Sequence, residues 1–403
     1  TIYIRPPSLA FLLTNIASLV RLFTLLALHF FHTMDTPTLL YYVLYCFIFF
    51  LLSGQQLVQG RRSAHHHHHH HRKHHHHISA NFHRPPKLFV FGDSYADTGN
   101  RNSQSNSWNY PYGITFPGKP AGRFSDGRVL TDYVAEFMGV KSPFPYRRRH
   151  LVVKNLKNGM NFAYGGTGVF DTLFSGPNMT TQIDFFQQLL RDHVFTANDI
   201  GSSVALVTVA GNDYTTYKSK TNGSSQGLPS YITTVIKQVM INLKRIRGLG
   251  VKKVAVTTLE PVGCLPAITA VSSFQRCNET ENLFVRSHNL LLHQAVAKLN
   301  NETKGSDFAV LDLYASFMSI LKNKAGRNLD CAGSIKFENP MKPCCTGISR
   351  EYSCGDEDKD GAKKYTVCGN PNSTFFWDNV HPSQVGWRAV SSALHPTLEQ
   401  LIY

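Results

Sequence analysis

The stretch Lys87-Leu88-Phe89-Val90-Phe91-Gly92-Asp93-Ser94-Tyr95-Ala96-Asp97-Thr98-Gly99-Asn100 decides how this chain is read. Lys87–Phe91 is a short apolar run that ends abruptly at Gly92, too short for a helix and without polar alternation. It reads as a strand buried on both faces. Working outward, Val204–Val209, Val254–Thr258 and Phe308–Leu311 have the same character, and Met160–Ala163 is a weaker example. Between them lie helical patterns over Gly127–Phe137, Thr181–Arg191, Ser230–Arg247, Thr280–Asn300 and Leu313–Asn323, with a last helix from Pro382–Ser383 towards Ile402. Apolar strands that alternate with helices imply βαβ units around a parallel sheet covered on both faces, an α/β fold. No linker, composition shift or internal repeat divides residues 87–403, so one large domain is expected there.

In a sheet of this kind ligands bind beyond the carboxyl ends of the strands. Ser94 lies just past the first such end, where a following helix N-terminus would aim free N–H groups at an oxyanion. By itself it is an ordinary N-capping serine. The weak strand leads into Asn161-Phe162-Ala163-Tyr164-Gly165-Gly166-Thr167-Gly168, whose glycines allow close backbone approach to a substrate. Val204–Val209 leads into Gly211-Asn212-Asp213, where the Asn212 amide could face developing negative charge; alone it is a turn asparagine. Near the C-terminus, Asp378 and His381 are three apart on a turn before Pro382. A carboxylate so placed holds one imidazole nitrogen and leaves the other as a base for a serine hydroxyl. Each motif is weak alone; the order Ser, Gly, Asn, Asp–His is not.

In that order the blocks Gly92-Asp93-Ser94, Asn161–Gly166, Gly211-Asn212-Asp213 and Asp378–Pro382 resemble a plant-type GDSL esterase/lipase of the SGNH hydrolase superfamily. Gly122-Arg123-Phe124-Ser125-Asp126-Gly127-Arg128, Pro261-Val262-Gly263-Cys264-Leu265-Pro266 and Pro343-Cys344-Cys345 add to the likeness, which runs from about Lys87 to the end. The resemblance implies a three-layer α/β/α sandwich with a flavodoxin-like parallel sheet of about five strands. It makes Ser94 the nucleophile, His381 the base and Asp378 its orienter, with an oxyanion hole from the Ser94 N–H, the Gly166 N–H and the Asn212 side chain. Gly166 rather than Gly165 follows from counting five residues on from Asn161. Two departures stand out: Tyr95 replaces the motif's Leu, and Ala210 replaces the usual Gly two residues before Asn212. Ala96 also breaks the Gly-x-Ser-x-Gly elbow, which argues against an α/β-hydrolase proper. The implied reaction passes an acyl group from an ester to Ser94 and then to water, with no metal or cofactor. Transfer to another alcohol, or a non-catalytic binding protein on the same fold, are the alternatives. The expected partner is a small-molecule, lipid or cell-wall ester, and a monomer is expected.

Composition narrows the remaining classes. The 403 residues are 42% hydrophobic and 17% charged, which excludes wholesale disorder. The net charge of +15 is spread thinly, with Arg147–Arg149 the one dense run in the body, so no nucleic-acid face is read. Attraction to an acidic cell-wall polymer is consistent with the charge. Leu39–Leu52 is an uninterrupted apolar run, short for a membrane span and suited to a signal-peptide core. Residues 1–33 are read as a gene-model extension before Met34, 34–60 as a signal peptide, and 61–86 as a disordered leader holding His65–His71 and His74–His77. No stable membrane span is expected in the mature chain. The His tract lacks apolar residues to fold around and is not read as a metal site. Cys46 leaves with the leader, so seven cysteines remain, five of them between Cys331 and Cys368. Without a CxxC pair, disulfides in a secreted chain fit better than zinc. Cys264 with Cys277, near in sequence and apart from the rest, is the expected bridge, leaving two bridges and one free thiol in the later cluster. Sequons at Asn178, Asn222, Asn278, Asn301 and Asn372 also point to the secretory pathway and an extracellular location.

Overall fold

The computed structural model describes residues 86–151, 156–208, 211–322 and 337–403. The leader segments read at 1–33, 34–60 and all but the last residue of 61–86 lie outside the described residues, as do Ala210 and Cys331. Strands β1 (Leu88–Gly92), β2 (Phe144–Pro145), β3 (Gly159–Asn161), β4 (Val204–Thr208), β5 (Lys253–Thr257) and β6 (Phe308–Leu311) form one sheet. Its order is β2-β3-β1-β4-β5-β6, and every pair is parallel. Leaving aside the two-residue edge strand β2, this is the 2-1-3-4-5 order of flavodoxin-like sheets. β2 escaped the sequence reading because two residues, one a proline, carry no periodicity; an edge position tolerates the proline's missing N–H.

The uniform apolarity of β1 follows from its place at the centre. Phe89 and Phe91 join a core with helices α2 (Met179–Arg191), α4 (Leu228–Gly248) and α5 (Glu279–Thr303) on one face of the sheet. Leu88 and Val90 join the other core with α1 (Leu130–Phe137), α6 (Leu313–Lys322) and α7 (Gln384–Ile402). Three α/β/α layers result, and alternate residues of one strand serve both cores. Helix α3 (Gly211–Lys220) precedes α4 in sequence and was not expected. Its residues are polar, and Gly-Asn-Asp at its start reads as a turn.

A separate two-stranded antiparallel hairpin, β7 (Cys345–Gly347) and β8 (Tyr365–Val367), lies in the segment read as a stapled loop. Disulfides join Cys344 to Cys368, Cys345 to Cys354, and Cys264 to Cys277. No described helix is long and apolar enough to cross a membrane.

The chain leaves β1 towards β3 on one side and later crosses to β4 on the other. The β1–β4 boundary is therefore the topological switch point, where the turns after the two strands diverge and leave a crevice. Ser94 follows β1 there, and Asn212 follows β4.

Candidate active site

The turn after β1 is forced by its contacts with β4. Gly92 has φ +144°, and a Cβ on it would lie 2.2 Å from the Thr208 carbonyl oxygen, so only glycine fits. Asp93 N then donates to Thr208 O at 3.0 Å. Its carboxylate accepts from Tyr95 N at 3.1 Å, and its carbonyl accepts from Asp97 N at 2.9 Å. The result is a single helical turn that carries Ser94 and is not continued into a helix. The helix N-terminus expected after Ser94 is absent. The turn itself presents the Ser94 N–H, which meets no acceptor among the described residues.

Asp97, a residue the sequence reading left without a role, ties this turn to the glycine pair. Its buried carboxylate accepts from Gly99 N at 2.8 Å, Asn100 N at 2.6 Å, Arg101 N at 3.0 Å and Gly165 N at 2.9 Å. The Gly165 N–H is thereby occupied. The Gly166 N–H has no acceptor among the described residues, and Gly166 takes φ +83°. Asn161 donates to Ala96 O at 2.7 Å and Thr98 Oγ1 at 2.9 Å, while Asn100 donates to the Asn161 and Ala163 carbonyls, both at 2.8 Å. Two stretches some sixty residues apart are thus joined by buried amides.

Asn212 opens α3 and donates from Nδ2 to Thr167 O at 3.0 Å, which fixes the amide plane and leaves its second N–H for the cleft. The next residue, Asp213, accepts from Val169 N at 2.8 Å and Phe170 N at 2.9 Å. It thereby holds the loop beyond the glycines. Burial pushes its carboxyl up to about 6 against the pull of those two N–H groups.

His381 and Asp378 are brought to Ser94 from the other end of the chain. His381 Nε2 lies 2.8 Å from Ser94 Oγ, and Nδ1 lies 2.9 Å from Asp378 Oδ2. Asp378 also accepts from Val380 N and His381 N, each at 2.8 Å, and from the Tyr112 hydroxyl at 2.7 Å. Burial pushes this carboxyl up, but the neighbouring imidazole and these donors prevail and hold it below the ordinary carboxylate range. An ionised Asp378 keeps the imidazole proton on Nδ1 and leaves Nε2 as an acceptor for the serine proton.

Apart from the cysteine cluster, whose nearness in sequence placed it beside this turn, the supports of the turn were not legible in the sequence. Phe124 lies against the His381 ring at 5.0 Å between centroids, and Tyr95 meets it edge-on at 5.8 Å. Tyr95 also donates to Val380 O at 3.0 Å. Asp126 accepts from Gln384 N at 2.7 Å, capping α7 just past the histidine. Cys344 N and Cys345 N donate to Phe376 O and Trp377 O, so the disulfide-linked hairpin pairs with the strand-like lead into Asp378. Tyr112 packs in the same cluster as Cys345, Cys354 and Trp377. These partners lie far apart in sequence, and no periodicity announces them.

A cleft of about 590 Å³ opens over Ser94, Gly166, Asn212 and His381. Its remaining walls are largely apolar, with Phe174, Leu259, Val262, Leu265, Ile268 and Phe284 among them. The arrangement suits a polarised acyl group at the polar end and a hydrocarbon arm along the wall.

A parallel sheet in this order, covered on both faces and with polar turns gathered at its switch point, defines the α/β/α fold of the SGNH hydrolases. Residues 88–394 match the GDSL-like Lipase/Acylhydrolase family, and the chain belongs to that family. It is 58% identical over 318 residues to the GDSL esterase/lipase At5g03610 of Arabidopsis thaliana, covering 78% of this chain and 87% of that protein. It is 52% identical over 322 residues to the GDSL esterase/lipase At3g09930 of the same plant, covering 79% and 90%. The protein is a plant-type GDSL carboxylic ester hydrolase.

Proposed function

We propose that the protein is a secreted serine esterase/lipase that works through Ser94, His381 and Asp378. The observation that carries this reading is the chain of contacts Ser94 Oγ, His381 Nε2, His381 Nδ1 and Asp378, at 2.8 and 2.9 Å. Ser94 Oγ attacks the ester carbonyl carbon while Nε2 takes its proton. The carbonyl oxygen becomes an oxyanion that receives the Ser94 N–H, the Gly166 N–H and the Asn212 amide. Collapse expels the alcohol, which takes the proton from Nε2, and leaves an acyl-serine. Water, deprotonated by Nε2, then attacks the acyl carbon; the bond to Ser94 Oγ breaks, Oγ takes the proton back from Nε2, and the acid is released. No single donor carries the oxyanion alone; losing one typically costs about 2.7–4 kcal/mol of barrier.

Three disulfides among the described residues and exposed sequons at Asn222, Asn278, Asn301 and Asn372 support passage through an oxidising, glycosylating compartment. Asn178 is half-buried and caps α2 through Thr181 N, so a glycan there competes with packing. The natural substrate is read as a small-molecule, lipid or cell-wall ester that fits the largely apolar cleft.

The test is Ser94→Ala together with organophosphate labelling. The variant should fold and hydrolyse no p-nitrophenyl butyrate above background, and the label should map to Ser94. Label on Ser103, Ser125 or any other serine would sink the assignment.

A further inference from the structure

Arg101 lines the cleft and has no part in the acyl transfer described above. Its Nη1 donates to Gly165 O at 2.9 Å and to Ser175 O at 3.0 Å. The guanidinium carbon lies 5.5 Å from the centre of the Tyr164 ring and 5.9 Å from that of Phe174. Phe174 in turn stands against Gly166, where an added Cβ would meet the Phe174 Cβ at 2.8 Å. The half-buried Arg101 side chain is thus fixed beside the glycine pair by two carbonyls, with two aromatic rings close by.

A guanidinium carries five N–H donors. Those of Nη1 serve the two carbonyls, and those of Nε and Nη2 meet no acceptor among the described residues. Nε and Nη2 form the edge that grips a carboxylate with two parallel hydrogen bonds. Arg123 uses it in this way, with Nε and Nη2 at 2.9 and 2.8 Å from the two oxygens of Asp132. Arg101 holds the same edge and forms no ion pair with a described carboxylate.

The surroundings add positive charge. Asn100 Oδ1 accepts from Arg147 N at 2.9 Å, Trp108 Nε1 donates to Arg101 O at 2.9 Å, and Arg148 lies 4.8 Å from the centre of the Trp108 ring. These contacts bring the exposed run Arg147–Arg149 beside Arg101, and none of the three pairs with a described carboxylate. The carboxyls of the cleft do not offset this. Glu281 pairs with Lys218, and burial pushes Asp93 and Glu260 up towards their neutral forms. The nearby Asp97 carboxylate is occupied by four backbone N–H groups.

We propose that Arg101 is a specificity-determining residue that binds a carboxylate carried by the ester, so that the cleft selects anionic esters over neutral ones of the same shape. The inference rests on the esterase reading of the same site. The carboxylate belongs either to the alcohol arm, as in an acylated hydroxy acid, or to the acyl arm, as in the half-ester of a dicarboxylic acid.

Two matched substrate pairs, followed by pH-stat, distinguish these sources with the purified protein. 3-Acetoxypropanoate against 3-acetoxypropanamide tests the alcohol arm. Monoethyl adipate against its neutral amide, ethyl adipamate, tests the acyl arm. In one pair the carboxylate should have a kcat/KM higher by about tenfold, the low end for a hydrogen bond to a charged group. That ratio should shrink as sodium chloride is raised, because salt screens a half-exposed pair. Arg101→Met should bring it to about one or below, while Arg101→Lys, which keeps the charge and loses the fork, should leave it above one. Near-ultraviolet circular dichroism checks that both variants fold, and the wild-type ratios and their salt dependence need no variant. Equal kcat/KM within both pairs for wild type that hydrolyses p-nitrophenyl butyrate, absence of turnover in both pairs included, would overturn the inference and leave the esterase reading standing. An unchanged ratio in folded Arg101→Met would do the same. Failure of the wild type to hydrolyse p-nitrophenyl butyrate as well would overturn both.

Discussion

Replacing Asp378 by Asn separates the orienting role proposed for the carboxylate from its place in the fold. Asp378 receives Val380 N and His381 N at 2.8 Å on Oδ1, Tyr112 Oη at 2.7 Å on Oδ2, and His381 Nδ1 at 2.9 Å from both oxygens. An Asn amide oxygen can serve the two backbone N–H groups, which places its NH₂ where Oδ2 was. The Tyr112 hydroxyl can turn and accept from that NH₂. The imidazole must accept as well, so its proton moves to Nε2, 2.8 Å from Ser94 Oγ. A protonated Nε2 is a donor to the serine, not a base. Loss of the correct tautomer in a serine hydrolase lowers kcat on the order of 10⁴-fold, about 5.4 kcal/mol of barrier. Because the shape is retained, the melting midpoint should move by only a few degrees. The assay is p-nitrophenyl butyrate hydrolysis near neutral pH, with His381→Ala beside it and expected to lose at least as much. If folded Asp378→Asn kept more than a tenth of the wild-type kcat, the carboxylate would not set the tautomer and the assignment of its role would fail.

Three further outcomes follow from the same geometry. Asn212→Ala removes one of the proposed oxyanion donors, a side chain that Thr167 O holds in place, so kcat should fall on the order of 10²–10³ with little change in KM, and a change in KM alone would contradict the role. Asp213 has its folded pKa raised from 3.8 to about 6, so its contribution to stability is full below the unfolded value and lost as pH rises through about 6. Urea unfolding at pH 4 and pH 7 should show the wild type losing up to about 3 kcal/mol relative to Asp213→Asn, whereas a constant difference between the two proteins would refute this. Removing the Cys345–Cys354 bridge by a double Ala substitution opens a loop with sequence separation 9 and should cost roughly 2.5 kcal/mol in the chain-entropy model. It should also lower kcat, since Cys345 N holds Trp377 O next to Asp378; unchanged stability and rate would show that the staple supports neither.

The sequence determined by itself those features that local chemistry must satisfy at every step along the chain. A strand buried on both faces has no polar position to spare, so Lys87–Phe91 and its counterparts announced a parallel sheet with helices on either side. The turns that follow must bend sharply and carry polar groups, so Ser94, Asn212, Asp378 and His381 stood out at strand ends or before a helix. Tertiary structure alone decided which turns meet, and why one of two adjacent glycines keeps its N–H. Counting from Asn161 picked Gly166 over Gly165, but the physical reason lies in the structure: the buried Asp97 carboxylate, 68 residues away, occupies the Gly165 N–H and leaves that of Gly166. Tyr112 reaches Asp378 across 266 residues, and Tyr95 reaches Val380 O across 285. Such partners obey no period and no local propensity. They are chosen by the need of each buried polar group for a counterpart once the sheet has brought its strand ends together, and that need arises only when water has been excluded from the site.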